Sequence, residues 1–243
     1  MTASAAEHSR HLVVNADDLG QSACINAGIS AAVDHGIVTS ASMMVRWPAA
    51  ADAAAWARRR PHLSVGLHLD LGEWIVRGGE WEALYEVVDA DDADAVGEEI
   101  RRQLQRFGDL MGHAPTHLDS HQHTHMREPV RSLLVAEGRR LGVHVRGLSA
   151  TRYCGDFYGQ WGAGESHPES ISRESLISIL DDLHEGTTEL ACHPSADNTD
   201  DIESMYLVER GFERRVLCDP SLRDEIATRA IVLRSFGAQD RVG

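Results

Sequence analysis

The chain has 243 residues, enough for one large α/β domain or two small ones, and enough to bury a sizeable core. Hydrophobic residues make up 42% and charged residues 25%, the balance of a folded globular protein and not of a disordered one. Asp and Glu outnumber Lys and Arg by 38 to 23, a formal charge of −15 that repels phosphate backbones and anionic membranes, so neither nucleic acid nor a membrane is an expected partner.

Taken in chain order, HLVVNA reads as a strand, DDLGQSA as a polar turn, and CINAGISAAVDHG as a helix stopped by glycine. TSASMMV is a second strand, AAADAAAWARRR an alanine-rich helix stopped by Pro61, and SVGLHLDL a third strand. Apolar residues three and four apart predict an amphipathic helix from Asp94 to Met111. THLDSHQHTH follows as a strand, then REPVRSLLVAEGRRLG as a helix and VHVRG as a brief strand. SRESLISILDDLHEG predicts a helix with a serine cap and a glycine end, TELACHP a strand, and PSLRDEIATR with AIVLRSF a last helix and strand. Residues 73–92 and 149–170 have weak periodicity and are expected to be long loops, the segments that commonly carry function.

About seven strands alternating with helices, with no linker of Gly and Ser, predict a single α/β domain, a barrel or near-barrel of mostly parallel strands. Residues 1–10 are expected to be a disordered tail and 11–243 the catalytic domain. The tail lacks the basic start and apolar run of a secretory signal, no stretch approaches a membrane span, and the four cysteines form no CxxC, so a cytoplasmic protein is expected.

Polar clusters fall where strands should finish: Asp17 and Asp18, His68, the set His117, Asp119, His121, His123 and His125, and His193. In parallel α/β folds the carboxyl ends of strands gather at one face, so four remote segments can supply one site. Alternation along a strand would put the odd-numbered set on a single face. Burying so many imidazoles and a carboxylate without partners is costly, at about 1–3 kcal/mol per group, and a bound cation would remove the cost. Singly, His68 and His193 are as readily core or strand-end residues, and Asp17 and Asp18 as readily a helix cap. Jointly they point to a metal.

NADDLG, GLHLDL, HLDSHQHTH and CHP, in this order and spacing, resemble the YdjC-like carbohydrate deacetylases, from about His11 to the CHP segment. The resemblance implies an irregular (β/α) barrel that uses one divalent ion, magnesium or zinc, to remove acetyl groups from N-acetylated mono- or oligosaccharides, and it carries a homodimer as an expectation. By motif it implies Asp18, His68 and His121 as metal ligands, Asp17 as general base and His193 as general acid. His117, Asp119, His123 and His125 are left as residues behind the ligands or against substrate. The family's CHPG is here CHPS, with Ser195, beside the implied acid.

Trp47, Trp74, Trp81, Trp161, Tyr153 and Tyr158 are the aromatic faces available to a sugar, and Arg46 and Arg152 are candidate contacts for a substituent. The rival readings are a metal-dependent phosphoesterase, which would need bridging carboxylates, and a metal- or sugar-binding protein without turnover. A glycoside hydrolase would need two carboxyls facing each other across the bond, which adjacent aspartates do not provide.

Overall fold

A computed structural model describes residues 9–197 and 200–239, so most of the expected tail lies outside the described residues. Strand β1 (Arg10–Leu19) takes up the chain, and its last eight residues are buried. Ser22 caps α1 (Ala23–His35) by accepting the N–H of Ile25, and Gly36 ends it. Next come β2 (Ser40–Met43), α2 (Ala50–Ala57) and β3 (Ser64–Leu69), each within the span expected for it.

Residues 73–92 are not a loop. A hairpin of β4 (Gly72–Arg77) and β5 (Glu80–Glu86) occupies most of them, turning at Gly78 and Gly79 with φ of +64° and +89°. Those angles suit the two-residue turn that pairs antiparallel strands, and two glycines adopt them without a Cβ penalty. Helix α3 (Ala93–Met111) follows, capped by Asp92, and then β6 (His117–Ser120).

The extended segment stops at Ser120. His121–Met126 coil into a tight helical turn in which Gln122 and His123 take positive φ, so the expected single face of five polar side chains is broken after two of them. Helix α4 (Val130–Leu141) leads to β7 (His144–Val145). The second expected loop holds β8 (Arg152–Cys154) and a small hairpin of β9 (Gln160–Trp161) and β10 (Glu165–Ser166).

Ser172 caps α5 (Arg173–Asp181) as expected, but the helix ends before the glycine, and Gly186 instead opens β11 (Gly186–Cys192). Helix α6 (Val208–Leu217) has no counterpart in the sequence reading. The chain closes with α7 (Leu222–Thr228), β12 (Ile231–Leu233) and α8 (Phe236–Gln239).

The main sheet runs β7-β6-β3-β2-β1-β11-β8, with β12 also against β1, and every pair in it is parallel. Among the described residues no ladder joins the edge strands β7 and β8, so the expected irregular barrel is an open one. Helices cover the sheet, and the apolar core of β1, β2, β3 and β11 with α1, α2 and α3 sets the strand ends rigidly side by side. No helix of the described residues is long and apolar enough to cross a membrane.

Candidate metal and catalytic site

The carboxyl ends of β1, β3, β6 and β11 meet at a cavity of about 280 Å³ lined by Asp17, Asp18, His68, His121, His123 and His193, among others. Asp18 sits at φ +68°, a conformation that an aspartate holds only at a cost and that recurs at functional sites. Its Oδ1 faces two imidazoles, His68 Nε2 at 3.3 Å and His121 Nδ1 at 3.2 Å. His121 reaches it because the chain coils at Ser120. As a fifth extended residue of β6 it would have been placed elsewhere.

Three donors, one from each of Asp18, His68 and His121, lie within 4.8 Å of one another, all buried. Ligands held about 2.0–2.1 Å from one ion sit roughly 2.9–3.4 Å apart, and the two imidazole-to-carboxylate distances fall in that range. On its other side His121 turns Nε2 toward Glu73 Oε2 at 3.5 Å, both atoms buried without a hydrogen-bond partner. The field is also right. Burial alone would lower the pKa of His68, but Asp119 and Asp17 outweigh it and lift it to about 9. His121 is likewise raised against burial by Asp18 and Glu73. A place where two histidines are driven to hold protons is one where a cation can replace those protons.

Asp119 lies opposite His68 in the β3–β6 register and accepts from its Nδ1 at 2.7 Å, a carboxylate–imidazole contact that leaves Nε2 to face Asp18. A second group, Asp17, His68 and Asp119, is also close enough to share an ion. Arg146 already serves its carboxylates, at 2.6 and 2.7 Å from Asp17 and 2.9 Å from Asp119. Arg146 follows the edge strand β7, is 4% exposed, and reaches across the sheet to Glu189 on β11. Burial would raise the Asp17 pKa, and Arg146 overrides it, so Asp17 is held ionised below its ordinary range.

His193 follows β11. Its Nε2 is 3.7 Å from Asp17 Oδ2, and its Nδ1 faces Glu213 of α6 at 3.9 Å. Glu213 also accepts the His193 backbone N–H at 2.5 Å and the Tyr206 hydroxyl. Burial, opposed by Asp17 and Asp18, lowers His193 to about 4. Also on α6, Arg210 donates to Asp18 Oδ2 at 2.7 Å, leaving Nη1 buried and unpartnered.

The other residues of the odd-numbered set separate. His117 is buried between Ser42 and Thr116 and stacks on Phe236 at 4.0 Å, touching neither the cavity nor the triad. His125 is buried against Ser120 and the Arg146 carbonyl. His123 lines the cavity and meets the Tyr153 hydroxyl at 3.1 Å. Arg46 is paired with Asp70, and Trp47 packs edge-on against Tyr85. Ser195 is fully buried outside the positive-φ region, so its backbone does not require the family's glycine. The glycine is needed opposite: a Cβ on Gly28 of α1 would lie 2.2 Å from the Ser195 Cα.

Sequence reasoning missed Arg146, Arg210, Glu213 and Glu73. Arg146 had one available signal, a charged residue at the end of a strand, the same sign that marked His68.

The fold of this parallel, helix-covered sheet is similar to that of solved structures. A crystal structure from Enterococcus faecalis V583, named provisionally for cellobiose-phosphate cleavage, matches with a TM-score of 0.78 and 24% identity over 95% of this chain and 99% of that one. A family 4 carbohydrate esterase from Streptomyces lividans matches with a TM-score of 0.54 and 12% identity over 93% and 92%. The YdjC-like protein family model matches residues 11–228, and the chain belongs to that family. Curated relatives include a carbohydrate deacetylase of Geobacillus stearothermophilus, 32% identical over 93% of this chain and 97% of that protein. A chitooligosaccharide deacetylase of Serratia marcescens is 32% identical over the same shares.

Proposed function

We propose that the protein is a metal-dependent carbohydrate deacetylase, hydrolysing the acetamide of an N-acetylated sugar to acetate and a free amine. The observation that carries this reading is the meeting of a buried two-imidazole, one-carboxylate donor set with an ionised aspartate and a histidine in one cavity. Membership in the YdjC-like family and the named activities of the curated relatives support it.

Asp18, His68 and His121 would hold the ion, which when bound supplies Lewis acidity to the acetamide carbonyl and to the attacking water. Two imidazoles suit zinc, while positions left to water would admit magnesium. Asp17, kept ionised by Arg146, takes a proton from the water as it attacks the carbonyl carbon. Burial keeps His193 neutral, so the proton it gives to the departing amine is acquired during turnover, and the proton on Asp17 starts 3.7 Å from its Nε2. Glu213 grips the backbone and faces the ring of His193 from behind, holding it toward Asp17. His123 and Tyr153, on the cavity wall, are placed to meet the substrate. The four cysteines are free, and a cytoplasmic location is part of the proposal.

A two-metal phosphoesterase is disfavoured, because the guanidinium of Arg146 serves the carboxylates that a second ion would need. The test is acetate release from a panel of N-acetylated sugars, with and without a chelator, beside phosphate release from sugar phosphates. Chelator-sensitive acetate release is expected. Phosphate release with the acetamides left intact would replace this reading with the phosphoesterase one.

A further inference from the structure

A larger cavity, of about 690 Å³, adjoins the reaction cavity and shares Gln122, Tyr158 and Met205 with it. The two hairpins supply its aromatic lining, Trp74 and Trp81 from β4–β5 and Trp161 from β9–β10. Trp81 is 57% exposed and Trp161 62%, so neither ring is needed to fill the core. The hairpin β4–β5 is anchored to the metal-site turn: the Gln122 side chain donates to the Trp74 carbonyl at 2.8 Å and accepts its N–H at 2.9 Å. Gln122 directly follows the ligand His121.

The cavity's charge is one-sided. Glu86, Asp89, Asp91 and Glu128 line it against a single cation, Arg127. Among the described residues, none of the four carboxylates is in an ion pair. Exposed indole faces suit the apolar face of a sugar ring, and both indoles and carboxylates attract a cation.

We infer that this cleft binds the sugar ring next to the one being deacetylated, and that it favours a ring already carrying a free, protonated amine. The inference rests on the deacetylase reading, since the cleft opens onto the proposed reaction cavity. It deepens that reading: the preferred substrate is a partly deacetylated amino-sugar oligomer, so one turnover prepares the neighbouring unit for the next.

The test compares kcat/KM for N-acetylglucosamine, its β-1,4-linked dimer, and both isomers of that dimer with one amine free. For the metal-loaded wild type, one mono-amine dimer should exceed the fully acetylated dimer by about tenfold at low salt, and the advantage should shrink at about 0.5 M salt as screening grows. Trp81→Ala and Trp161→Ala should each lower the ratio of dimer to monomer kcat/KM several-fold, and Glu86→Gln with Asp91→Asn should remove the amine preference. Equal losses on monomer and dimer, or no advantage from the amine, would overturn the cleft assignment.

Binding is read separately, by quenching of tryptophan fluorescence when the mono-amine dimers are added to chelator-treated protein. Quenching that disappears in Trp161→Ala supports the cleft even if no probe is deacetylated, an outcome that would count against the proposed activity alone. Absence of binding would count against the cleft alone.

Discussion

Asp17 and Asp18 are neighbours in sequence with opposite surroundings. Asp18 turns through positive φ toward two imidazoles and Arg210, while Asp17 faces Arg146 and His193. Asp17→Asn is therefore expected to retain the ion and lose at least about 100-fold in acetate release, the usual range for removing a general base. Metal content and turnover measured on one preparation check both halves. A fully active variant would remove Asp17 from its role.

His125 allows a pH test away from the proposed ligands. Burial, opposed by Asp119, lowers its pKa to about 4, against 6.5 for an exposed histidine. As pH falls from 6.5 to 4 the unfolded chain takes up this proton and the folded chain does not, so stability is lost across that window. His125→Gln lacks this loss. Urea unfolding at pH 7.5 and 4.5 should show the wild type losing more stability than the variant, and parallel losses would mean that His125 is not held neutral.

Five of the proposed site residues were visible in the sequence because each is a polar group at the end of an apolar run: Asp17, Asp18, His68, His121 and His193. Their partners were not. Arg210 and Glu213 sit in RGFERRVL, a stretch that reads as the solvated face of a helix, yet both are buried, Glu213 fully. Burial of a charge is decided by what packs over it, which adjacent residues do not reveal.

At the scale of elements, the helices and central strands were legible because 3.6- and 2-residue periodicities are local. The hairpin β4–β5 was legible too and passed over: WIVR and EWEALY flank Gly78 and Gly79, a two-residue hairpin signal. The coil after Ser120 was not legible. Its positive φ values at Gln122 and His123 fall on residues with only a modest preference for that region, and the contacts of His121 and Gln122 with other segments hold them there.

The pairing of β3 with β6 has a specific requirement. A Cβ on Gly66 would meet the His117 ring at about 2.5 Å, so the smallest residue on one strand makes room for a buried imidazole on the next. Gly66→Ala should destabilise the fold by about 1–3 kcal/mol, as overpacking of a filled core does. Denaturant unfolding in the presence of chelator checks it, and an unchanged midpoint would mean that the ring can move aside freely.

For the molecule as a whole, the open barrel places the site where strands from both halves of the sheet end. Arg146, entering from one edge, ties β7 to Asp17 on β1, Asp119 on β6 and Glu189 on β11. The alternation of strands and helices made the parallel architecture readable, whereas its openness depends on which edges find partners, a property of the assembled sheet. An ion bound only by the folded chain also stabilises the whole domain, in proportion to the logarithm of its concentration above Kd.

The most direct measurement is equilibrium dialysis of the purified chain against zinc and against magnesium, with bound metal counted for the wild type, Asp17→Asn and His121→Ala. One ion per chain in the first two and a large loss of affinity in the third is the expected result. A wild type that binds neither ion, or a His121→Ala variant that binds as tightly as the wild type, would contradict the assignment of Asp18, His68 and His121 as the metal centre.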